Sequence, residues 1–293
     1  MGKYSIKELE QLSGIKAHTI RIWEKRHRLI EPARTQTNIR YYSDEDLKKI
    51  INVSVLNNNG VKISKIVGLS YDEIVRKVAE LSRSYENTDV FIDQLVVAMI
   101  DMEEERFEKI ISELTLKFGF ERTVIEIIYP FLEKIGVLWQ TGNISPAQEH
   151  FITHLIRQKI MVAIDALPLA PKTARRVLLY LPENELHELG LLFYHYVTKR
   201  DGYRTYYLGQ TVPYNDVKSV CEVHHPDFVV SAFTSSPTPG NVQAYVNRIC
   251  ADLPKTQVLA SGQSLKKANI SKPSNFHIFY NALGLRDLMK TLH

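Results

Sequence analysis

Three groups of residues in this sequence have side chains suited to recognition or metal chemistry. The first is Lys16-Ala17-His18-Thr19-Ile20-Arg21. If a helix begins near Lys16, then Lys16, His18, Thr19 and Arg21 face outward at its N-terminal end, the part of a recognition helix that reaches base edges. Arginine can give guanine two hydrogen bonds there, and threonine and histidine can donate to bases or phosphates. Arg26, Arg28, Arg34 and Arg40 follow and suit phosphate oxygens, which fix position without reading sequence. The second group is Glu185-Leu186-His187-Glu188-Leu189-Gly190. A carboxylate two residues before an imidazole can hold it in one tautomer, as carboxylates do for metal-bound histidines. Gly190 lets its helix come close to a bulky ligand. The third is Trp139 followed, after nine residues, by Glu149-His150: a flat indole face, an acceptor and a metal-ligating ring. Taken singly, the last two groups also read as an ordinary surface histidine, a core tryptophan and a solvated helix start. His150 and His154, four residues apart, would share a helix face as zinc ligands do, but no further ligand lies near them in sequence.

Those groups need scaffolds. Ser5-Ile6-Lys7-Glu8 is a capping box and predicts a helix through Leu12. Ser13-Gly14 ends it, and a second helix runs from near Lys16 to about Lys25 with Ile15, Ile20 and Trp23 toward a core. Two short helices about a tight glycine turn make a helix-turn-helix. Residues 32–42 cannot be helical throughout, and Thr35-Gln36-Thr37-Asn38 reads as a hairpin tip. Ser43 caps a helix bearing Leu47, Ile50, Ile51 and Val55, which ends over residues 57–60. A short helix follows over 61–67, and Ser70 caps the next. From about residue 70 to 167 the pattern is helical with weak breaks at Glu86-Asn87-Thr88, Phe118-Gly119 and Gly142-Asn143, which predicts a helical bundle. Ser145, with Pro146 at the first helical position, starts the helix from which Glu149 and His150 project.

A linker at residues 168–172 separates this bundle from a different periodicity. Continuous apolar runs at 177–181, 206–208, 228–232, 258–260 and 277–280 predict buried parallel strands. Helical stretches between most of them make a doubly wound α/β domain. Ligands of such sheets sit beyond the C-terminal strand ends, so the loops after Leu181, Leu208, Ala232 and Ala260 are where a site belongs. His187 lies in the first of them.

Charge is unevenly placed. The 293 residues carry 37 Lys+Arg and 33 Asp+Glu, a net of +4. Residues 1–40 hold 9 basic and 4 acidic groups, so the remainder is close to neutral, as a DNA-binding head on a neutral body would be. Cys221 and Cys250 are two widely spaced thiols without a metal-ligand pattern and suggest a reducing cytoplasm. No apolar run approaches the roughly 20 residues of a membrane span, and the first residues have no signal-peptide core.

The head closely resembles the MerR type. The resemblance rests on Tyr4-Ser5-Ile6, Leu12-Ser13-Gly14, Thr19-Ile20-Arg21-Ile22-Trp23-Glu24, Leu29-Ile30-Glu31-Pro32-Ala33-Arg34 and Asn38-Ile39-Arg40-Tyr41-Tyr42. It implies that Arg40-Tyr41 lies on a wing and grips the DNA backbone, and that the protein binds pseudo-palindromes as a dimer. The Arg21-Ile22-Trp23-Glu24-Lys25-Arg26 variant resembles the light- and cobalamin-linked subgroup. Further along, Glu185-x-His187-x-x-Gly190 matches the Asp/Glu-x-His-x-x-Gly motif of cobalamin-binding modules. Trp139, Glu149 and His150 match the Trp-x9-Glu-His signature of the CarA/CarH/LitR light-responsive group. The resemblance implies that His187 is the lower axial cobalt ligand and that Trp139 and Glu149 lie over the upper face. It also implies that His150 takes the upper position once light has broken the cobalt–carbon bond. Cobalt suits imidazole nitrogen. Two positions depart from the pattern: Ser231-Ala232-Phe233 enlarges the third residue of a Ser-x-Leu/Val motif, and Ser261-Gly262 replaces a glycine pair. Both flank the channel implied for the nucleotide tail, where Ser261 could crowd it.

The sequence therefore predicts a multidomain α and α/β chain. A winged helix-turn-helix head occupies 1–75, a helical bundle capping the cofactor 76–168, and a doubly wound, parallel-sheet (Rossmann-like) cobalamin-binding domain 173–293. The expected function is a non-enzymatic, cytoplasmic transcription regulator, a repressor. Its oligomeric state (dimer or tetramer) and affinity for a double-stranded DNA operator are set by cobalamin, in the adenosylcobalamin form, and by light. An alternative is a cofactor-free regulator controlled by a protein antagonist, which the altered Ser261-Gly262 favours. A corrinoid carrier for methyl transfer fits the body but not the DNA-binding head.

Overall fold

A computed structural model describes residues 2–84, 88–140, 144–268 and 270–292, with the side chains of 82–84 and 137–140 outside that description. The chain divides into two compact units, Met1–Leu155 and Ile156–His293.

The first unit opens with α1 (Ile6–Ser13) and α2 (Ala17–His27), then a hairpin of β1 (Ala33–Arg34) and β2 (Arg40–Tyr41), then α3 (Asp44–Asn58) and α4 (Ile63–Ile66). The capping box is formed: Ser5 N donates to Glu8 at 2.6 Å, and Glu8 N donates to Ser5 Oγ. Gly14, at φ 71°, supplies the left-handed residue that closes α1 and turns the chain into α2. Ile15, Ile20 and Trp23 are buried with Leu9, Leu12, Tyr42 and Leu47. Each such aliphatic side chain stabilises the head by about 1.5–3 kcal/mol through the apolar surface it removes from water. Tyr4 and Tyr42 pair through reciprocal backbone hydrogen bonds of 2.9 and 2.8 Å, tying the chain start to the base of the wing.

The rest of the unit is helical: α5 (Tyr71–Ser84), α6 (Thr88–Asp101), α7 (Glu104–Phe118) and α8 (Phe120–Thr123). From α8 a π-helical turn (Val124–Ile128) leads into α9 (Tyr129–Gln140), and α10 (Pro146–Asp165) follows, its residues up to Leu155 counting in this unit and the rest in the second. Helix α6 is buried at every position from Val90 to Ile100, as a helix apolar on all sides must be. The break at Phe118-Gly119 is present, with Gly119 at φ 81°. Those expected at Glu86-Asn87-Thr88 and Gly142-Asn143 fall largely on residues outside the description. One break carries no glycine or proline: α6 ends at Asp101, Met102 adopts φ 54°, and α7 starts at Glu104. Its sequence signal is the acidic run Glu103-Glu104-Glu105, since carboxylates favour the positive end of a new helix.

The second unit is a five-stranded parallel sheet in the order β4-β3-β5-β6-β7. In chain order its elements are β3 (Arg176–Pro182), α11 (Glu188–Arg200), β4 (Arg204–Val212), α12 (Tyr214–His224), β5 (Phe228–Ala232), α13 (Val242–Asp252), β6 (Gln257–Ser261), α14 (Gln263–Lys267), β7 (Phe276–Ile278) and α15 (Ala282–Thr291). The central strands are the continuous apolar runs; Val177 to Leu181 are fully buried. Strand β4 is longer than its apolar centre because it is an edge strand and tolerates Arg204, Thr205, Gln210 and Thr211. The chain winds outward from β3 to β4, then crosses back to β5. The switch point of the doubly wound sheet therefore lies between β3 and β5, and the loops after these strands open there.

Candidate functional site

In the head, Lys16 is the N-cap of α2, and His18, Thr19 and Arg21 lie in its first turns. Lys16, His18, Arg21, Arg26, Arg28, Arg34 and Arg40 are exposed, and Thr19 and Tyr41 are half-buried. Lys16 pairs with Glu10 at 3.0 Å, and His18 Nε2 stands 3.3 Å from Thr19 Oγ1. On the hairpin, Arg34 donates to Asn38 at 2.6 Å across the tip, and Arg40 reaches Glu24 of α2 at 3.3 Å. The same carboxylate accepts from Tyr42 at 3.3 Å, so the wing is tethered to the recognition helix. Lys3 lies over the Tyr41 ring. The head thus presents an exposed cationic surface on α2 and the adjoining hairpin.

In the second unit, the loop from β3 to α11 places Glu185 and His187 at the switch point. Glu185 is fully buried. One carboxylate oxygen accepts from three successive backbone N–H groups of the loop after β5: Thr234 at 2.9 Å, Ser235 at 2.6 Å and Ser236 at 2.9 Å. The other accepts from His187 N at 3.1 Å and from His187 Nδ1 at 2.5 Å. Burial opposes ionisation, but the hydrogen bonds from the His187 ring and from the Ser236, Ser235 and His187 amides outweigh it and hold the carboxyl down at about 2. An ionised carboxylate only accepts, so the ring nitrogen that faces it, Nδ1, carries a proton. The His187 side chain is 61% exposed.

His187 is also the N-cap of α11. Three residues on, a methyl group built on Gly190 would meet no atom of the described residues within 4 Å. Leu186 and Tyr280, which follow β3 and β7, are exposed by 65% and 70%. Glu188 is buried, accepts from Tyr207 at 2.8 Å and pairs with Arg157 of α10 at 2.8 Å.

The remaining predicted residues are placed differently. Ser231 is buried and donates to the Tyr180 carbonyl at 2.9 Å. Ser261 is buried and donates to the Tyr194 hydroxyl at 3.3 Å, and Tyr194 packs edge-on against Phe279. Gly262, at φ 117°, lies so close to Phe233 that a methyl group would come within 2.3 Å of its carbonyl oxygen. These three residues make bonds or close contacts inside the domain. In the first unit, His150 is exposed and half-exposed Glu149 stands 3.8 Å from its Nε2; the His154 ring is 6.4 Å from that of His150. No cluster of three or more metal-ligating side chains occurs among the described residues. Trp139 belongs to α9, but its side chain lies outside the described residues.

Residues 4–72 match the MerR HTH family of regulatory proteins, and residues 91–163 match the B12 binding domain. The chain thus carries a MerR-type HTH segment followed by a segment that matches the B12 binding domain. The HTH-type transcriptional repressor CarH of Myxococcus xanthus is 26% identical over 260 residues, covering 86% of each chain. The repressor CarA of the same organism is 27% identical over 85% of this chain and 84% of its own. The transcriptional regulator MlrA of Escherichia coli is 35% identical over 75 residues, which are 26% of this chain and 31% of MlrA. The monomethylamine corrinoid protein of Methanosarcina barkeri superposes with a TM-score of 0.54 at 12% identity, over 70% of this chain and 96% of its own. That likeness establishes the fold. The MerR head and the B12-binding match leave the sheet uncovered, so its residues rest on their geometry.

The loop Thr234-Ser235-Ser236, which holds Glu185, had no place in the sequence motifs. Its signal was a run of small polar residues directly after a buried strand. Among the described residues, no helix is long and apolar enough to cross a membrane.

Proposed function

We propose that this regulator is a light-responsive repressor that takes cobalamin, in the adenosyl form, as its sensory cofactor and works in the cytoplasm on a double-stranded operator. The observation that carries the reading is His187, 61% exposed in the loop after β3 of a doubly wound sheet, with its Nδ1 fixed on the buried, ionised Glu185. Imidazole nitrogen is a suitable cobalt donor, and Gly190 puts no side chain beside it. When bound, cobalamin would supply a cobalt ion and a light-sensitive cobalt–carbon bond. In this reading His187 would hold the cobalt, Trp139 and Glu149 would cover the cofactor, and His150 would offer the cobalt a second imidazole. Ser231, Ser261 and Gly262 neighbour the nucleotide tail and, having partners of their own, contribute little to holding it. The three-part division at 1–75, 76–168 and 173–293 belongs to the same reading, as do a dimeric or tetrameric state and the absence of an enzymatic reaction.

Apo-protein mixed with adenosylcobalamin is expected to retain the cofactor through gel filtration and to change elution volume, with green light reversing the change. His187→Ala should shift the cobalt absorption bands or lose the cofactor. A wild type that takes up no cobalamin while still binding its operator would favour a regulator governed by a protein antagonist. An unchanged His187→Ala spectrum removes His187 from its assigned role.

Within the same proposal Lys16, His18, Thr19 and Arg21 read bases, while Arg26, Arg34, Arg40 and Tyr41 grip phosphates. Arg21→Ala is expected to cost about 1–3 kcal/mol of operator discrimination. Arg26→Ala should weaken all duplexes alike and reduce the slope of log K against log salt by about one. Electrophoretic mobility shifts on operator and scrambled duplexes at several salt concentrations separate the two roles.

A further inference from the structure

One amide side chain ties the helix that carries Glu149 and His150 to α6 of the same unit. Gln148 is the third residue of α10 and makes two kinds of bond with its two ends. Its Oε1 accepts from Ser145 N at 3.1 Å and Ser145 Oγ at 3.2 Å, completing the cap of α10. Its Nε2 donates at 3.0 Å to the carbonyl of Ile100, in the last turn of α6, where carbonyls have no partner within their own helix. The start of α10 and the end of α6 are therefore bolted together next to Glu149.

One residue further, Asp101 accepts from Lys48 at 2.6 Å. Lys48 belongs to α3 of the DNA-binding head, and its side chain is only 8% exposed; Glu45 is its second partner at 2.7 Å. A second polar tie lies one turn along α3, where Asn52 accepts from Gln94 of α6 at 3.1 Å. Gln94 in turn accepts from Arg106 of α7. Apart from Asp93 and Gln94, the buried side chains of α6 from Val90 to Ile100 are all apolar. Apolar surfaces slide over one another at small cost, whereas buried polar pairs fix register. Just past the joint, Met102 is held in the left-handed region, which costs a non-glycine residue energy, and such strain gathers at switch regions.

We infer that the carboxyl end of α6 is the joint through which the sensing helix sets the DNA-binding head, with Gln148, Asp101 and Lys48 as its positioning residues. This rests on the proposed reading that a cofactor at Glu149 and His150 governs operator binding. A shift of the first turn of α10 pulls on the Ile100 carbonyl, moves Asp101 with it, and carries Lys48 and α3 along.

The test uses the full chain with adenosylcobalamin in the dark. Gln148→Glu keeps the capping oxygen and removes the donor to Ile100. Asp101→Asn keeps a polar partner for Lys48 without the charge, and Lys48→Met removes the tie while Lys48→Arg restores it. The wild type is expected to show an operator affinity that changes roughly tenfold or more on cofactor binding. Gln148→Glu and Lys48→Met should retain the cofactor's absorption spectrum and a near-native melting temperature, with that ratio reduced to within about threefold of unity. Lys48→Arg should keep the ratio, and Asp101→Asn should fall between; if Lys48→Met does not fold, Asp101→Asn carries the second arm. Variants as responsive as a responsive wild type overturn the joint alone. A wild type whose operator affinity ignores bound cofactor overturns the regulatory reading and the joint with it.

Discussion

Glu185→Ala is expected to lower cobalamin affinity by about 10–100-fold and to destabilise the second unit by about 3–5 kcal/mol. The carboxylate is fully buried and ties the loop after β3 to the loop after β5. Without it, the N–H groups of Thr234, Ser235 and Ser236 lose their acceptor, and the His187 ring loses the partner that fixes its proton on Nδ1. The first loss appears in urea unfolding, the second in a cobalamin titration followed by absorbance. The pH dependence has a definite sign. The carboxyl is held at about 2 in the folded protein, below its ordinary 4.5. Its contribution, on the order of 3 kcal/mol, is therefore fully present above the ordinary value and is lost as pH falls from there through about 2. Glu185→Gln should flatten that acid limb. A Glu185→Ala protein with native acid stability and native cobalamin affinity would show that this carboxylate positions nothing.

Gly262→Ala is expected to be worse still, destabilising the second unit by more than about 4 kcal/mol. The new methyl group would stand 2.3, 2.5 and 2.7 Å from the O, C and N atoms of Phe233. That backbone cannot retreat, because Phe233 N donates to Ser261 O at 2.7 Å and Phe233 O accepts from Ser264 N at 2.9 Å. The φ of 117° adds strain for any residue with a Cβ. Since a whole domain is stable by only about 5–15 kcal/mol, the sheet unit should lose its cooperative melting transition or show it at much lower temperature. Gly190→Ala makes the opposite case: no atom of the described residues lies within 4 Å of its would-be Cβ. It should leave melting within about 1 kcal/mol of wild type, since alanine is the better helix former, yet reduce cobalamin affinity by intruding on the open face. Calorimetry of both variants, with a cobalamin titration of Gly190→Ala, separates a glycine needed by the fold from one needed by the ligand. Native melting of Gly262→Ala would contradict the packing described.

These two glycines show what the sequence could and could not convey. The sequence reads Gly190 as letting its helix come close to a bulky ligand, and Gly262 as flanking the channel that the resemblance implies for the nucleotide tail. Only coordinates show that Gly262 is spent on the approach of β6 to the Phe233 backbone. The fold was largely legible, because its signals are local: capping boxes at Ser5 and Ser43, the glycine turn at Gly14, and apolar runs for buried parallel strands. The α6–α7 break was not, since Met102 turns the chain without a glycine or proline. The pairing of Glu185 with His187 is also local, two residues apart. The bonds that hold Glu185 come from residues about 50 positions away, and no periodicity reports such contacts. The same holds for the bond from Gln148 to Ile100, made across 48 positions.

The most direct test of cobalamin control is a titration of the operator duplex in three parallel samples: apo-protein, protein loaded with adenosylcobalamin in darkness, and the same loaded protein after green light. Dark loading should tighten operator binding roughly tenfold or more relative to the apo-protein, and illumination should remove the gain. Three superimposable binding curves from a protein that visibly holds the cofactor would contradict it.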